Sequence, residues 1–190
     1  MRLLLASKSP RRRQLVAELG FPFECVSIEV DEHLPADIPA SRAAECLACR
    51  KADAYPADRL APADVLVAAD TVVVLADRIL GKPTSRDQAL EMLRMLSGHR
   101  HTVYTGVCLQ STTQRISFTE STAVLFRTLT EAEITHYVDT YRPFDKAGAY
   151  GIQEWIGMIG IERIEGCYYN VMGLPTARLY ATLSSKFLSK

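Results

Sequence analysis

The chain has 190 residues, 48% of them apolar and 23% charged, with 22 basic side chains balanced by 22 acidic ones. That length suits one domain, two-lobed at most, able to bury roughly 70% of the surface its unfolded form would expose, and the composition excludes a disordered chain. Zero net charge excludes the broad positive field of a nucleic-acid coat or a membrane-surface protein, although it leaves room for a local basic cleft, and no apolar run reaches the ~18 residues that span a bilayer.

A short apolar strand, Leu3 to Leu5, leads through Ser7-Lys8-Ser9-Pro10-Arg11-Arg12-Arg13 into a helix. Ser9 reads as the N-cap and Pro10 as the first helical residue, because a hydroxyl accepts an orphan N–H and proline has none to leave unpaired. Arginines in the first turn oppose the positive end of the helix macrodipole at about 0.3–1 kcal/mol each unless an anion lies close. A polyphosphate would remove that conflict through the free N–H groups and the guanidinium forks. No acid precedes Glu18, as in a transit peptide, but a strand, a cap and a proline break the uninterrupted amphipathic helix such a peptide forms.

Gly20 ends the helix, and Phe23 to Ile28 reads as a strand before the acidic turn Glu29-Val30-Asp31-Glu32. A proline-rich loop runs to Pro39, and a helix is expected from about Ser41 to Tyr55. Inside it, Cys46 and Cys49 form a C-x-x-C pair without the second pair of a zinc site or the strand-to-helix entry of a redox motif, so helix packing is their expected role. The five cysteines, odd in number and scattered, do not make a disulfide framework, and cytosol is the expected compartment.

Val65 to Leu75 is a nearly unbroken apolar run, as in a strand covered on both faces, interrupted by Asp70. Ser85 with Gln88 predicts a capping box ahead of a helix carrying Ala89, Leu90, Met92, Leu93 and Leu96, ended by Gly98. His101 to Gln110 and Arg115 to Phe126 read as a hairpin about the polar turn Ser111 to Gln114. Thr130 with Glu133 caps a further helix bearing Ile134, Tyr137, Val138 and Tyr141. A glycine-rich loop from Asp145 to Gly151, a strand near Ile159 to Ile164 and a final helix with Leu179, Tyr180 and Leu183 complete the chain. Early alternation of strands and helices with a later hairpin predicts an α/β fold with a mixed, twisted central sheet flanked by helices, in two lobes about a cleft. Polar groups at the ends of the first and third strands would converge there.

Asp70 is the sharpest candidate, because an ionised carboxylate among valines and alanines needs a cation, a metal or backbone donors. Asp31-Glu32 could hold Mg²⁺ beside phosphate. Lys82, in Leu80-Gly81-Lys82-Pro83, is a point charge on a loop that lacks the Walker A spacing, and Lys51 and Lys146 are further cations. His99 and His101, with no third histidine nearby, read as structural.

Taken together, Ser7-x-Ser9-Pro10-Arg11-Arg12, Asp31-Glu32, Arg50-Lys51-Ala52, Ala69-Asp70-Thr71-Val72, Leu80-Gly81-Lys82-Pro83, Leu96-Ser97-Gly98 with His101-x-Val103-x-Thr105-Gly106, Asp145-Lys146-Ala147-Gly148-x-Tyr150-x-Ile152-Gln153 and Asn170-Val171-x-Gly173-Leu174-Pro175 resemble the Maf family. The resemblance spans essentially the whole chain in order. It implies a single domain over residues 1–190 with the Maf and inosine-triphosphatase-like fold, and a nucleoside triphosphate pyrophosphatase that cleaves between the α- and β-phosphates with Mg²⁺ or Mn²⁺. A cytoplasmic homodimer is implied as well.

By position in the motifs, Asp70 corresponds to the proton acceptor, while Arg12, Thr71 and Gln153 match the specificity positions of the branch acting on dTTP and UTP. The mechanism expected of this inventory has Glu32 and Asp70 holding the metal, Asp70 or its bound water delivering the nucleophile to the α-phosphorus, and Arg12, Arg13, Lys51 and Lys82 holding the triphosphate. Ser7, Ser9, Asp145 and Lys146 complete the expected substrate contacts. The chain departs from the commoner pattern at Arg50, Glu154 and Cys167. Alternatives from other classes are a nucleotide-binding regulator of cell division that does not hydrolyse its ligand, and a pyrophosphatase of 7-methyl-GTP or other bases.

Overall fold

The computed structural model describes residues 1–31, 33–35 and 38–188. Among them the chain forms a mixed α/β fold whose strands lie in the order β2 (Phe23–Val26), β1 (Arg2–Ala6), β3 (Asp64–Leu75), β5 (Arg100–Gln110), β6 (Arg115–Phe126) and β7 (Ile161–Glu165), with β4 (Arg78–Leu80) paired to β3. It divides into two compact units, one of 1–70, 105–120 and 173–190, the other of 71–104 and 121–172.

In the first unit, β1 (Arg2–Ala6) lies between β2 (Phe23–Val26) and β3 (Asp64–Leu75), parallel to both. Leu3 to Ala6 of β1 and the 65–69 run of β3 are buried, which is why the sequence there is continuous rather than alternating. Arg2 grips the carboxylate of buried Asp64 with two nitrogens, at 2.9 and 3.0 Å, and latches the starts of β1 and β3 together. The register Ala6↔Ala68 then brings the exit of β1 beside β3 two residues before Asp70.

Helix α1 (Pro10–Glu18) begins as the sequence predicts, with Ser9 accepting from the Arg12 N–H. Helix α2 (Ala40–Asp53) starts at Ala40, after Pro39 as N-cap, rather than at Ser41, and ends two residues before Tyr55. Its buried face is Ala43, Ala44, Leu47, Ala48 and Ala52, and such small side chains let a helix come close to the sheet it covers. At Gly106 of β5 (Arg100–Gln110) contact is backbone to backbone: a Cβ there would lie 2.2 Å from the Glu45 nitrogen and 2.3 Å from the Ala44 carbonyl carbon. Buried Glu45 accepts from Ser117 and Thr119 of β6 (Arg115–Phe126) at 2.7 and 2.8 Å. The final helix, α7 (Thr176–Lys186), buries Leu179 and Leu183.

The second unit has its own core, in which Val73, Leu90, Leu93, Leu96, Phe126, Ile134, Tyr137 and Ile156 pack together. The end of β3 turns back antiparallel into β4 (Arg78–Leu80), an element not predicted because the turn residues are Ala76 and Asp77, both at positive φ where Asn-Gly is the usual signal. Helix α3 (Arg86–Leu96) is capped by Ser85, but the Gln88 carboxamide accepts from the Thr84 N–H at 2.6 Å instead of closing a box with Ser85. Helix α4 (Glu131–Tyr141) has the complete box between Thr130 and Glu133. The strand expected from Ile159 starts later: Trp155–Gly160 is helix α5, and β7 is Ile161–Glu165, antiparallel to β6. A short helix, α6 (Tyr168–Met172), has no signal in the local sequence, and β2 stops at Val26 rather than Ile28.

His101 is buried with its Nε2 2.8 Å from the Tyr150 hydroxyl, as expected of a structural histidine. Burial lowers its pKa from 6.5 to about 4, against the smaller opposing effect of a hydrogen bond with the His99 backbone. The folded state therefore favours neutral imidazole, whose stabilising contribution is complete above the unfolded pKa near 6.5 and is lost as pH falls towards about 4. Denaturant midpoints should fall across that window in the wild type, with a shallower fall in His101→Gln. Gly106→Ala should destabilise the protein by about 3 kcal/mol or more in the same assay, since α2 would have to lift off β5.

Candidate functional site

In the first unit the loop after β1 is organised by its serines. Ser7 Oγ accepts from the Ser9 N–H at 3.2 Å, and Ser9 Oγ accepts from the Arg12 N–H at 3.4 Å. This arrangement starts α1 where β1 ends, with no acidic residue in the first turn. Arg12 Nε donates to the Gly173 carbonyl at 2.8 Å, which ties the arginine to the Gly173-Leu174-Pro175 segment. Arg13 is exposed and donates to the Lys8 carbonyl at 3.2 Å. The helix start thus carries backbone donors and guanidinium groups together, the chemistry that receives phosphate oxygens.

Asp70 is met by Lys51. The ammonium on α2 donates directly to a carboxylate oxygen of Asp70, and both side chains are only 15% exposed. Of the compensations open to a carboxylate in an apolar strand, the fold uses an ion pair, so Lys51 acts on Asp70 itself and is not simply a phosphate-facing charge. Its neighbour Arg50 donates to the His33 carbonyl. Glu32 lies outside the described residues, and Asp31 accepts from the His33 N–H at 2.9 Å.

The second unit holds the other expected residues. Thr71 is half-buried, and Lys82 and Gln153 are exposed. The Gly81 carbonyl accepts from the Gly148 N–H at 3.1 Å, which straps the Lys82 loop to the loop beginning at Asp145. Gly148 has φ +67°, and a Cβ there would press on Val73 at 3.1 Å. Ala149, also left-handed at φ 59°, is fully buried, a strained conformation for a residue with a side chain.

Lys146 is buried, not on the surface, and its ammonium lies 2.7 Å from Asp145 and 3.1 Å from Glu154. Glu154 in turn accepts from the Tyr137 hydroxyl, whose oxygen accepts from the buried Gly151 N–H at 3.0 Å. Burial, and then the adjacent Glu154, push the Tyr137 pKa upward, so the phenol stays protonated and keeps donating. Sequence reasoning misses Tyr137 and Glu154 as a pair. Tyr137 falls on the apolar face of α4, and the available signal is Glu154, one of the positions at which the chain departs from the commoner pattern.

The donor chemistry at Asp70 fits a hard divalent cation. Among the described residues no three His, Cys, Asp or Glu side chains gather into a metal cluster. One carboxylate oxygen, with phosphate and water supplying the rest, is the coordination Mg²⁺ accepts.

Comparison with known proteins places the whole chain in one family. The model of the family described as Maf-like protein matches residues 2–186. A Bacteroides thetaiotaomicron protein named dTTP/UTP pyrophosphatase is 49% identical over 182 residues, covering 95% of this chain and 94% of its own length. Proteins of the same name from Porphyromonas gingivalis and Cytophaga hutchinsonii are 45% and 43% identical, covering 96% and 97% of this chain and 92% and 84% of their own. Among solved structures, the Staphylococcus aureus Ham1 protein shares the fold at 14% identity with a TM-score of 0.56, covering 98% of this chain and 100% of its own.

Tyr137→Phe strips the acceptor from the Gly151 N–H and the donor from Glu154, and should cost about 1–3 kcal/mol in urea unfolding.

Proposed function

The chain belongs to the Maf family, and from that premise we propose that it is a nucleoside triphosphate pyrophosphatase hydrolysing dTTP and UTP to the monophosphate and pyrophosphate. The observation that carries this reading is the Lys51–Asp70 pair on the strand next to β1, whose exit opens into the serine- and arginine-bearing start of α1. Cleavage of a phosphoanhydride asks for a positioned water and for neutralisation of charge on the departing pyrophosphate.

Asp70 meets the first requirement, since its carboxylate orients the attacking water and takes its proton, while Lys51 holds that carboxylate in one orientation. The second falls to the N–H groups at the start of α1 and to Arg12 and Arg13, with Lys82 as a further phosphate partner. Arg12 is anchored through its Nε to the Gly173 carbonyl, which limits the freedom of the guanidinium that would meet an oxyanion. Thr71 and Gln153 suit the base: a uracil or thymine edge offers carbonyl acceptors about one N–H donor, matched by a hydroxyl and a carboxamide. Mg²⁺ or Mn²⁺, held by Asp70 and by Glu32, would screen the phosphate charge. The same reading carries a cytoplasmic homodimer. No helix among the described residues is long and apolar enough to cross a membrane.

Incubation with dTTP, UTP, CTP and 7-methyl-GTP in the presence of Mg²⁺ should release pyrophosphate and monophosphate fastest from the first two, and a chelator should stop the release. Asp70→Asn should lower kcat by about 10²–10⁴-fold with its fold intact by circular dichroism. Ordinary turnover by that variant would remove Asp70 as the base. Nucleotide binding by the wild type without any pyrophosphate would replace the enzyme with a non-hydrolysing regulator.

A further inference from the structure

The cysteines of α2 have a use that the nucleotide chemistry does not absorb. Cys49, the second cysteine of the C-x-x-C, packs against the buried cluster that holds Cys108 of β5, two residues along that strand from Gly106, where α2 and β5 touch backbone to backbone. Cys108 is fully buried among Ala48, Ala52, Leu66 and Ala68, and half-buried Cys49 packs against that cluster from its edge. Arg115 stands beside Cys49, donating to its carbonyl at 3.1 Å and to Asp53. Both thiols are free.

We propose that Cys49 and Cys108 are an oxidisable thiol pair, with Cys49 the sulfur that meets a peroxide and Cys108 the sulfur that resolves it into a disulfide. The two sulfurs differ as such a pair requires. The neighbouring Cys108 thiol, and after it the Arg115 guanidinium, favour the Cys49 thiolate over the opposing effect of its burial and hold its pKa below the ordinary thiol range, whereas Cys108 is pushed up, first by Cys49 and then by burial.

In the first step the Cys49 thiolate attacks one peroxide oxygen; an S–O bond forms, the O–O bond breaks, and hydroxide leaves to become water. The sulfenic acid is neutral, so the charge that raised the Cys108 pKa is gone. Cys108 sulfur then attacks Cys49 sulfur; an S–S bond forms, the S–O bond breaks, and the departing hydroxide takes up the Cys108 proton. Two thiols are oxidised and one peroxide is reduced to two waters. The link would tie α2 to β5 near Gly106, where the two backbones already touch.

The test treats the full-length reduced protein with hydrogen peroxide, followed by intact-mass measurement and peptide mapping under non-reducing conditions. Expected are the loss of two hydrogen atoms, a crosslink between the Cys49 and Cys108 peptides, and its reversal by dithiothreitol. Cys49 should also react with a maleimide about tenfold faster than exposed Cys25 at neutral pH. Cys108→Ser, or Cys108→Ala if the serine variant does not fold, should trap a dimedone-reactive sulfenic acid at Cys49, and Cys49→Ser should form no crosslink. A wild-type crosslink through Cys46, Cys25 or Cys167, or thiols that survive peroxide unchanged, would overturn the proposal. The mapping needs no nucleotide, so its outcome is separable from that of the pyrophosphatase assays.

Discussion

The ion pair between Lys51 and Asp70 is the constraint around which the first unit is arranged. A carboxylate in a strand as apolar as β3 needs a compensating partner, and here a cation arrives on a different element, α2. Several otherwise unrelated features serve its placement. The alanine face of α2 and Gly106 on β5 let the two backbones approach to contact, and Glu45 fastens the same helix to Ser117 and Thr119. The Arg2–Asp64 latch at the other end of β3 sets the parallel register that aligns β1 with the approach to Asp70.

The second unit solves a different problem, that of holding a loop in an unfavourable shape. Consecutive left-handed residues at Gly148 and Ala149 would not persist in a free loop. They are kept by the Gly81–Gly148 backbone bond on one side and, on the other, by the chain of contacts from the Gly151 N–H through Tyr137 and Glu154 to Lys146. These buried polar groups are satisfied by one another, so that Lys146 is enclosed as part of the loop's framework.

Many of the residues that carry the family resemblance turn out to have structural duties. Gly106 makes room for a helix, and Ser97 accepts from the Leu129 N–H at 2.7 Å. Buried Asn170 donates to the Val103 carbonyl and to Thr122 at 3.1 and 2.9 Å, and His101 joins Tyr150 and Phe126 in an aromatic cluster. A motif read from sequence mixes residues that touch a ligand with residues that hold the first kind in place. Local spacing cannot separate them, because spacing carries no information about what a side chain touches across the fold.

By itself the sequence determined the features that local periodicity and local chemistry dictate: the strand and helix order, the cap at Ser9, the box at Thr130, and the requirement that Asp70 be answered by a compensating partner. The missed elements are those whose signals were weak locally, a turn made of Ala76 and Asp77 and two helices of six and five residues. Only the tertiary structure decided which partner each polar group received. Lys51 of α2 meets Asp70, a tyrosine counted as apolar supplies a bond to Glu154, and Cys49 packs against the cluster that holds Cys108. These choices join residues far apart in the chain, and packing fixes them only when the helices settle on the sheet, so no window of sequence contains them.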